Sequence, residues 1–167
     1  MRHSSYLEYR TPAIYHATRA VISRLDAVQT RFLRDVGVDD VTALDKFHLA
    51  PLSSRRDIAM LGMIHKTILG KGSPPFTEFF QRDPQHPQKL TDPRRAFKSP
   101  LIKRSALGLV AIYNMLPHTV TCAKSVPAFQ KGLQDIMRKS AVSGHPQWPE
   151  AFSPRLPLAS HPLSTMF

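Results

Sequence analysis

Apolar residues in this chain recur at helical spacing, and no segment reads as a strand. Between Thr18 and Val36, Val21, Leu25, Val28 and Phe32 follow one another at four, three and four residues. At 3.6 residues per turn that spacing sets them on one stripe of a helix, predicted to face a core. Arg24, Arg31 and Arg34 fall on roughly the opposite face, with Arg31 one turn from Asp35. Gly37 is a natural stop, because glycine takes the left-handed conformation that ends many helices.

The same reasoning divides the rest of the chain. Thr11-Pro12 suits a helix start within 6–17. Asp39 or Asp40 caps a short helix reaching Phe47, with Val41, Leu44 and Phe47 on one side. Pro51 breaks it, and Ser53 or Ser54 is expected to cap a longer helix whose Ile58, Leu61, Ile64 and Ile68 face inward. Gly70 and Gly72 end that helix, and Ser73-Pro74-Pro75 opens an aromatic segment from Phe76 to Phe80. Residues 82–100, with prolines at 84, 87, 93 and 100, read as an exposed connection. A helix is predicted over 102–116, with Ala106, Leu109, Val110 and Tyr113 on one stripe and Pro117 as its stop. A last helix over 125–140 carries Val126, Phe129, Leu133 and Ile136 at three-four-three spacing.

After Ser143, prolines at 146, 149, 154, 157 and 162 with little charge predict a disordered or irregular tail. There is no internal repeat. The expectation is an all-α protein: an irregular bundle of about five or six helices over residues 1–140, followed by a Pro-rich disordered tail over 141–167. Phe32, Phe47, Tyr113 and Phe129 are expected in the core, Phe76, Phe79 and Phe80 in a satellite cluster. Trp148 reads as a docking anchor in the tail or as exposed.

Charge narrows the function. Twenty-three Lys and Arg stand against 12 Asp and Glu, a net charge of +11, which predicts attraction to nucleic acid, anionic membrane or acidic protein. Cys122 is the single cysteine, so an internal disulfide and a multi-cysteine zinc site are excluded. No apolar run approaches the ~20 residues of a membrane span. Glu8 and Arg10 interrupt what a signal peptide would need, so the expected location is intracellular, nucleus or cytoplasm, not secreted.

The constellations that carry chemistry are thin. Asp39-Asp40 is the one Asp-Asp pair, but it lacks the aromatic residue and flanking strands of a polymerase metal site and sits where a cap belongs. The histidines are scattered without companion ligands. Cys122 has His118 four residues before it, and Gly70-Lys71-Gly72 lacks the spacing of a phosphate loop. No catalytic residue, metal or cofactor is expected. The basic residues fit phosphate contact better. Arg24, Arg31 and Arg34 form one strip, Arg55 and Arg56 bring charge to a helix start, and Arg94, Arg95, Lys98, Lys103 and Arg104 form a flexible clamp. The alternative for each is a solvated helix face, with Arg56 paired to Asp57 or Asp40.

Four segments, in order, resemble the region after the catalytic core in reverse transcriptases of non-LTR (LINE-type) retrotransposons. They are Glu8-Tyr-Arg-Thr-Pro-Ala-Ile-Tyr15, Leu25-Asp-Ala-Val-Gln-Thr-Arg-Phe-Leu33, Leu49-Ala-Pro-Leu-Ser-Ser-Arg-Arg-Asp57 with its helix to Gly62, and Arg104-Ser105 leading to Tyr113-Asn-Met-Leu-Pro117. A closing helix, Ser125-Val-Pro-Ala-Phe129, follows as in that family. Tyr113 stands where tryptophan is usual and Gln130 where lysine is usual. The resemblance covers about residues 5–140 and implies a non-catalytic, thumb-like region that lies near RNA or an RNA–DNA duplex, in a truncated or fragmentary copy. It implies a nucleic-acid-facing role for Arg31, Arg55, Arg56 and Arg104. The alternatives are a helical module binding an acidic protein partner, with the Trp148 tail as a peptide ligand, and a decayed element without function.

Overall fold

A computed structural model describes residues 11–92 and 99–166, and every regular element among them is helical. In chain order these are α1 (Thr11–Tyr15), α2 (Arg19–Asp35), α3 (Asp40–Phe47), α4 (Leu52–Ile68), α5 (Pro74–Thr77), α6 (Pro100–Lys103), α7 (Leu109–Met115), α8 (His118–Thr121) and α9 (Val126–Val142). Single 3₁₀ turns lie at Ala106–Gly108, Trp148–Glu150, Leu158–Ser160 and Pro162–Ser164. The all-α class is therefore as expected, with five described helices of seven residues or more. No described helix is long and apolar enough to cross a membrane.

The core is built on α4. Its Ile58, Leu61 and Ile64 are buried, as are Phe129, Leu133 and Met137 of α9 and Leu109, Val110, Ile112 and Tyr113 of α7. α9 is the chief neighbour of α4. Gly62 marks their close approach: a Cβ there would stand 2.5 Å from Nε2 of Gln130. His65, also buried, joins the three helices. One ring nitrogen is 2.9 Å from the Tyr113 hydroxyl, the other 2.8 Å from the Ala123 carbonyl, and the ring stacks on Phe129 at 4.1 Å between centroids.

Polar capping agrees with the sequence at two starts. Asp39 accepts from the Thr42 amide at 2.9 Å and opens α3, and Ser125 accepts from the Ala128 amide and opens α9. The Asp39-Asp40 pair is thus a helix start. At α4 the expectation fails. The N-cap is Pro51, and Ser54, inside the helix, donates from Oγ to the Pro149 carbonyl at 2.6 Å.

Further expectations are corrected. The stripe on α2 faces water: Val21, Val28 and Phe32 are 51%, 64% and 55% exposed, and Leu33 is the buried residue of that helix. The inward face carries Asp26 and Gln29 instead, because Asp26 accepts from the buried Arg56 at 2.6 Å and Gln29 donates to the Ala50 carbonyl at 3.0 Å. Stripping Arg56 of that partner would cost about 3–5 kcal/mol, against roughly 1.5–3 kcal/mol for burying one more valine or phenylalanine. Phe47, the last residue of α3, is also exposed, since Ala43 and Leu44 supply the buried face. Asp35 pairs loosely with Arg34, at 3.8 Å, instead of Arg31.

Residues 102–116 do not form one helix. α6 ends at Lys103, and Ser105 then caps a 3₁₀ turn through the Leu107 amide before α7 starts. Gly108 lies so close to the end of α6 that a Cβ would stand 2.5 Å from the Lys103 carbonyl oxygen, a contact continuous helix would not make. The exposed connection, described as far as Asp92, is pinned at one point. Leu90 is buried, and its amide and carbonyl both bond the Asn114 side chain, at 2.7 and 2.9 Å. In the aromatic segment Phe80 is core, while Phe76 and Phe79 are exposed.

The tail is irregular as expected but not disordered. Trp148, Ala151, Phe152 and Leu163 are buried in the same core as α4, and His161 is fully buried with Nε2 3.0 Å from the Ser153 carbonyl. Prolines forbid a regular helix here, yet they also restrict the unfolded chain, so 3₁₀ turns dock at a reduced entropic cost. Trp148 is core, not a free anchor. Trp148→Ala is expected to destabilise the fold by about 3–5 kcal/mol, read as a lowered urea midpoint at unchanged m value.

Candidate nucleic-acid interface

The structure separates the predicted basic residues. Arg24, Arg31 and Arg34 are exposed on α2. Arg56 is withdrawn from solvent: its side chain is 7% exposed and pairs with Asp26, not with Asp57 or Asp40. Lys103 is exposed at the end of α6, and Arg104 after it is half-buried. Arg94, Arg95 and Lys98 lie outside the described residues.

Arg55, one residue from Arg56 and so about 100° further round α4, opens into a cleft between α3, α4 and α9. The cleft holds about 620 Å³. Leu44, Ala50, Ile58 and Met137 supply its apolar floor, and Arg55, Lys131 and Arg138 bring positive charge to its wall against the carboxylate of Asp135. Gln130 and Gln134 add amide donors and acceptors. Burial lowers the pKa of the Arg55 guanidinium from its ordinary value.

Arg138 is held in place. It donates from Nη2 to Nδ1 of His48 at 2.6 Å, and its Nε is 3.7 Å from Asp45. His48 caps α3 in the left-handed region, at φ 54°, with its amide bonded back to Leu44 and that of Leu49 to Ala43. A histidine there costs roughly 1–2 kcal/mol of backbone strain that glycine would avoid. Here that histidine also positions an arginine at the mouth of the cleft.

Sequence reasoning found Arg55 but not Lys131 or Arg138. Those two sit seven residues apart on α9, a spacing that places them on one face, and nothing in the sequence says that this face borders α3. Among the described residues no three or more His, Cys, Asp or Glu are grouped to hold a metal ion. No protein-family model, curated protein or solved structure matches the chain.

Behind Arg56 lies a buried charge cluster that ties α1, α2, α4 and the tail together. Tyr15 donates from its hydroxyl to Asp57 at 2.6 Å and Arg155 donates to the carbonyls of Tyr15 and Ala17, while at the surface Arg19 pairs with Glu150 at 3.1 Å. Burial pushes the Asp57 carboxyl up to about 7, even though Tyr15, Arg56 and Arg155 pull the other way. The Tyr15 hydroxyl is pushed up by the same burial and by the charge of Asp57.

A carboxyl whose pKa is raised on folding favours the fold fully below its unfolded value of about 3.9, and that advantage is lost as pH rises through about 7. Asp57→Asn is therefore expected to gain stability over the parent between pH 5 and pH 8, by on the order of a few kcal/mol. Paired urea titrations across that range are the measurement. A constant difference between the two proteins would show that Asp57 stays charged throughout.

Proposed function

We propose that this chain is a non-catalytic, nucleic-acid-binding helical domain of the kind that follows the catalytic core in non-LTR reverse transcriptases. Its cleft between α3, α4 and α9 takes the phosphate backbone of RNA or an RNA–DNA duplex. The observation that supports this most is the convergence of Arg55, Lys131 and Arg138 on one cleft in a chain of net charge +11. Phosphates attract such groups without regard to base sequence, and amides such as those of Gln130 and Gln134 add hydrogen bonds to sugar or phosphate. The role fits positioning and electrostatics rather than bond-making.

The test is binding of a labelled RNA–DNA hybrid to the purified chain across a salt series. The expected affinity is tighter than ~10 μM near physiological salt, with a slope that reports roughly three neutralised phosphates. Arg55→Ala, Lys131→Ala and Arg138→Ala should each lower the slope by about 1 and weaken binding equally on unrelated sequences. Binding that ignores all three substitutions counts against the cleft. Arg56→Ala is the wrong probe, since it leaves Asp26 without its partner and disturbs the fold.

A second reading, a helical module for an acidic protein partner, draws on a different surface. On α2, exposed Val21, Val28 and Phe32 lie beside Arg24 and Arg31, a mixture that a phosphate backbone would not cover. Saturable binding to an acidic protein that survives the cleft substitutions would favour it.

A further inference from the structure

We propose that the solvent face of α2 pairs with a helix of a partner protein, one whose seam is apolar and whose flank is acidic. The face is a seam by register. Val21, Leu25, Val28 and Phe32 repeat at four, three and four, the alternation of d and a positions in a coiled coil over two heptads. In that register Arg24 and Arg31 both fall at g, the position that flanks the seam and meets charged residues of a partner helix. Neither takes part in an ion pair among the described residues. Three of the four seam residues are more than half exposed, and α2 is held to the body through Asp26, Gln29 and Arg19 together with Leu33.

The arrangement selects its occupant by charge. The other flank is closed, because Gln29, at e, is bonded to the Ala50 carbonyl. Only the arginine flank is open to a partner. A second copy fits poorly. Set antiparallel, the arginines of two copies would face one another; set parallel, Arg24 and Arg31 would face Gln29 and Val36 of the copy, neither of which is a carboxylate. A foreign helix with Glu or Asp on the facing flank answers both arginines, and like charges there would be rejected. The site is separate from the cleft, whose lining comes from α3, α4 and α9.

The probe is a synthetic three-heptad peptide with leucine along the seam and glutamate on both flanks, titrated against the full chain by calorimetry or anisotropy. Its twin carries lysine on the flanks. The acidic peptide is expected to bind at least ~10-fold more tightly than the twin. Arg24→Glu/Arg31→Glu should reverse that preference, and Phe32→Asp or Val28→Asp should weaken binding by ~10-fold or more without lowering the melting temperature, since both side chains lie in water. The double substitution Lys131→Ala/Arg138→Ala should leave peptide binding unchanged. The inference is overturned if the two peptides bind alike or not at all, or if the cleft substitutions abolish binding. It is also overturned if the chain alone forms a dimer that Phe32→Asp disperses, or if vesicles containing phosphatidylserine engage this face while the acidic peptide does not.

Discussion

The fold depends on one buried histidine. His65 presents two ring nitrogens to two fixed partners, and the Ala123 carbonyl can only accept. Nε2 must therefore carry a proton, and in the neutral ring Nδ1 accepts from the Tyr113 hydroxyl. Burial lowers its pKa, in keeping with that state. A single side chain of α4 thus sets the position of α7 through Tyr113, of α9 through the stacked Phe129, and of the segment between α8 and α9 through Ala123. Because folding depresses this pKa, the contribution is complete above about 6.5 and is lost as pH falls below it. The fully buried His161 in the tail, whose pKa burial also lowers, has the same sign.

Around that apolar centre polar bonds reinforce the attachment of the outer elements. α2 joins α4 through Asp26 and Arg56, α1 joins it through Tyr15 and Asp57, and the tail reaches back through Arg155, Glu150 and the Pro149 carbonyl. This polar attachment is what frees other surfaces. If α2 were docked by its apolar stripe, Val28 and Phe32 would be core and Asp26 would be in water. The price is a buried arginine that serves the fold and is withdrawn from any ligand, one position away from an arginine that lines the cleft.

Much of the architecture was legible in the sequence. The extents of α2, α3 and α9 follow from three-four spacing and from residues such as Asp39 and Ser125, whose side chains bond amides three positions on. Those are local effects, determined within one turn. The orientation of α2 was not legible, because a periodic stripe identifies a helix face without saying what covers it. The break at Ser105 was missed because the apolar spacing of Ala106, Leu109, Val110 and Tyr113 was given more weight than Ser105, whose hydroxyl caps the Leu107 amide. Proline content correctly announced an irregular tail but carried no information about whether Trp148 and Phe152 had a core to enter. Of the cleft, Arg55 was legible as a cation at a helix start, whereas Lys131 and Arg138 read as ordinary surface charges of an amphipathic helix.

By itself, then, the sequence determined the helical class, the extents of α2, α3 and α9, and an excess of positive charge that any fold of this chain would have to display. These depend on backbone preference, short-range hydrogen bonds and summed ionisation, none of which needs a neighbour. Only the tertiary structure decided which arginine is buried and which is presented, which apolar stripe is core and which faces water, and that a proline-rich segment closes the core. Each of those turns on which group lies opposite across the interior. A buried charge takes its partner wherever the packing provides one, even when an apolar stripe is left outside as a result.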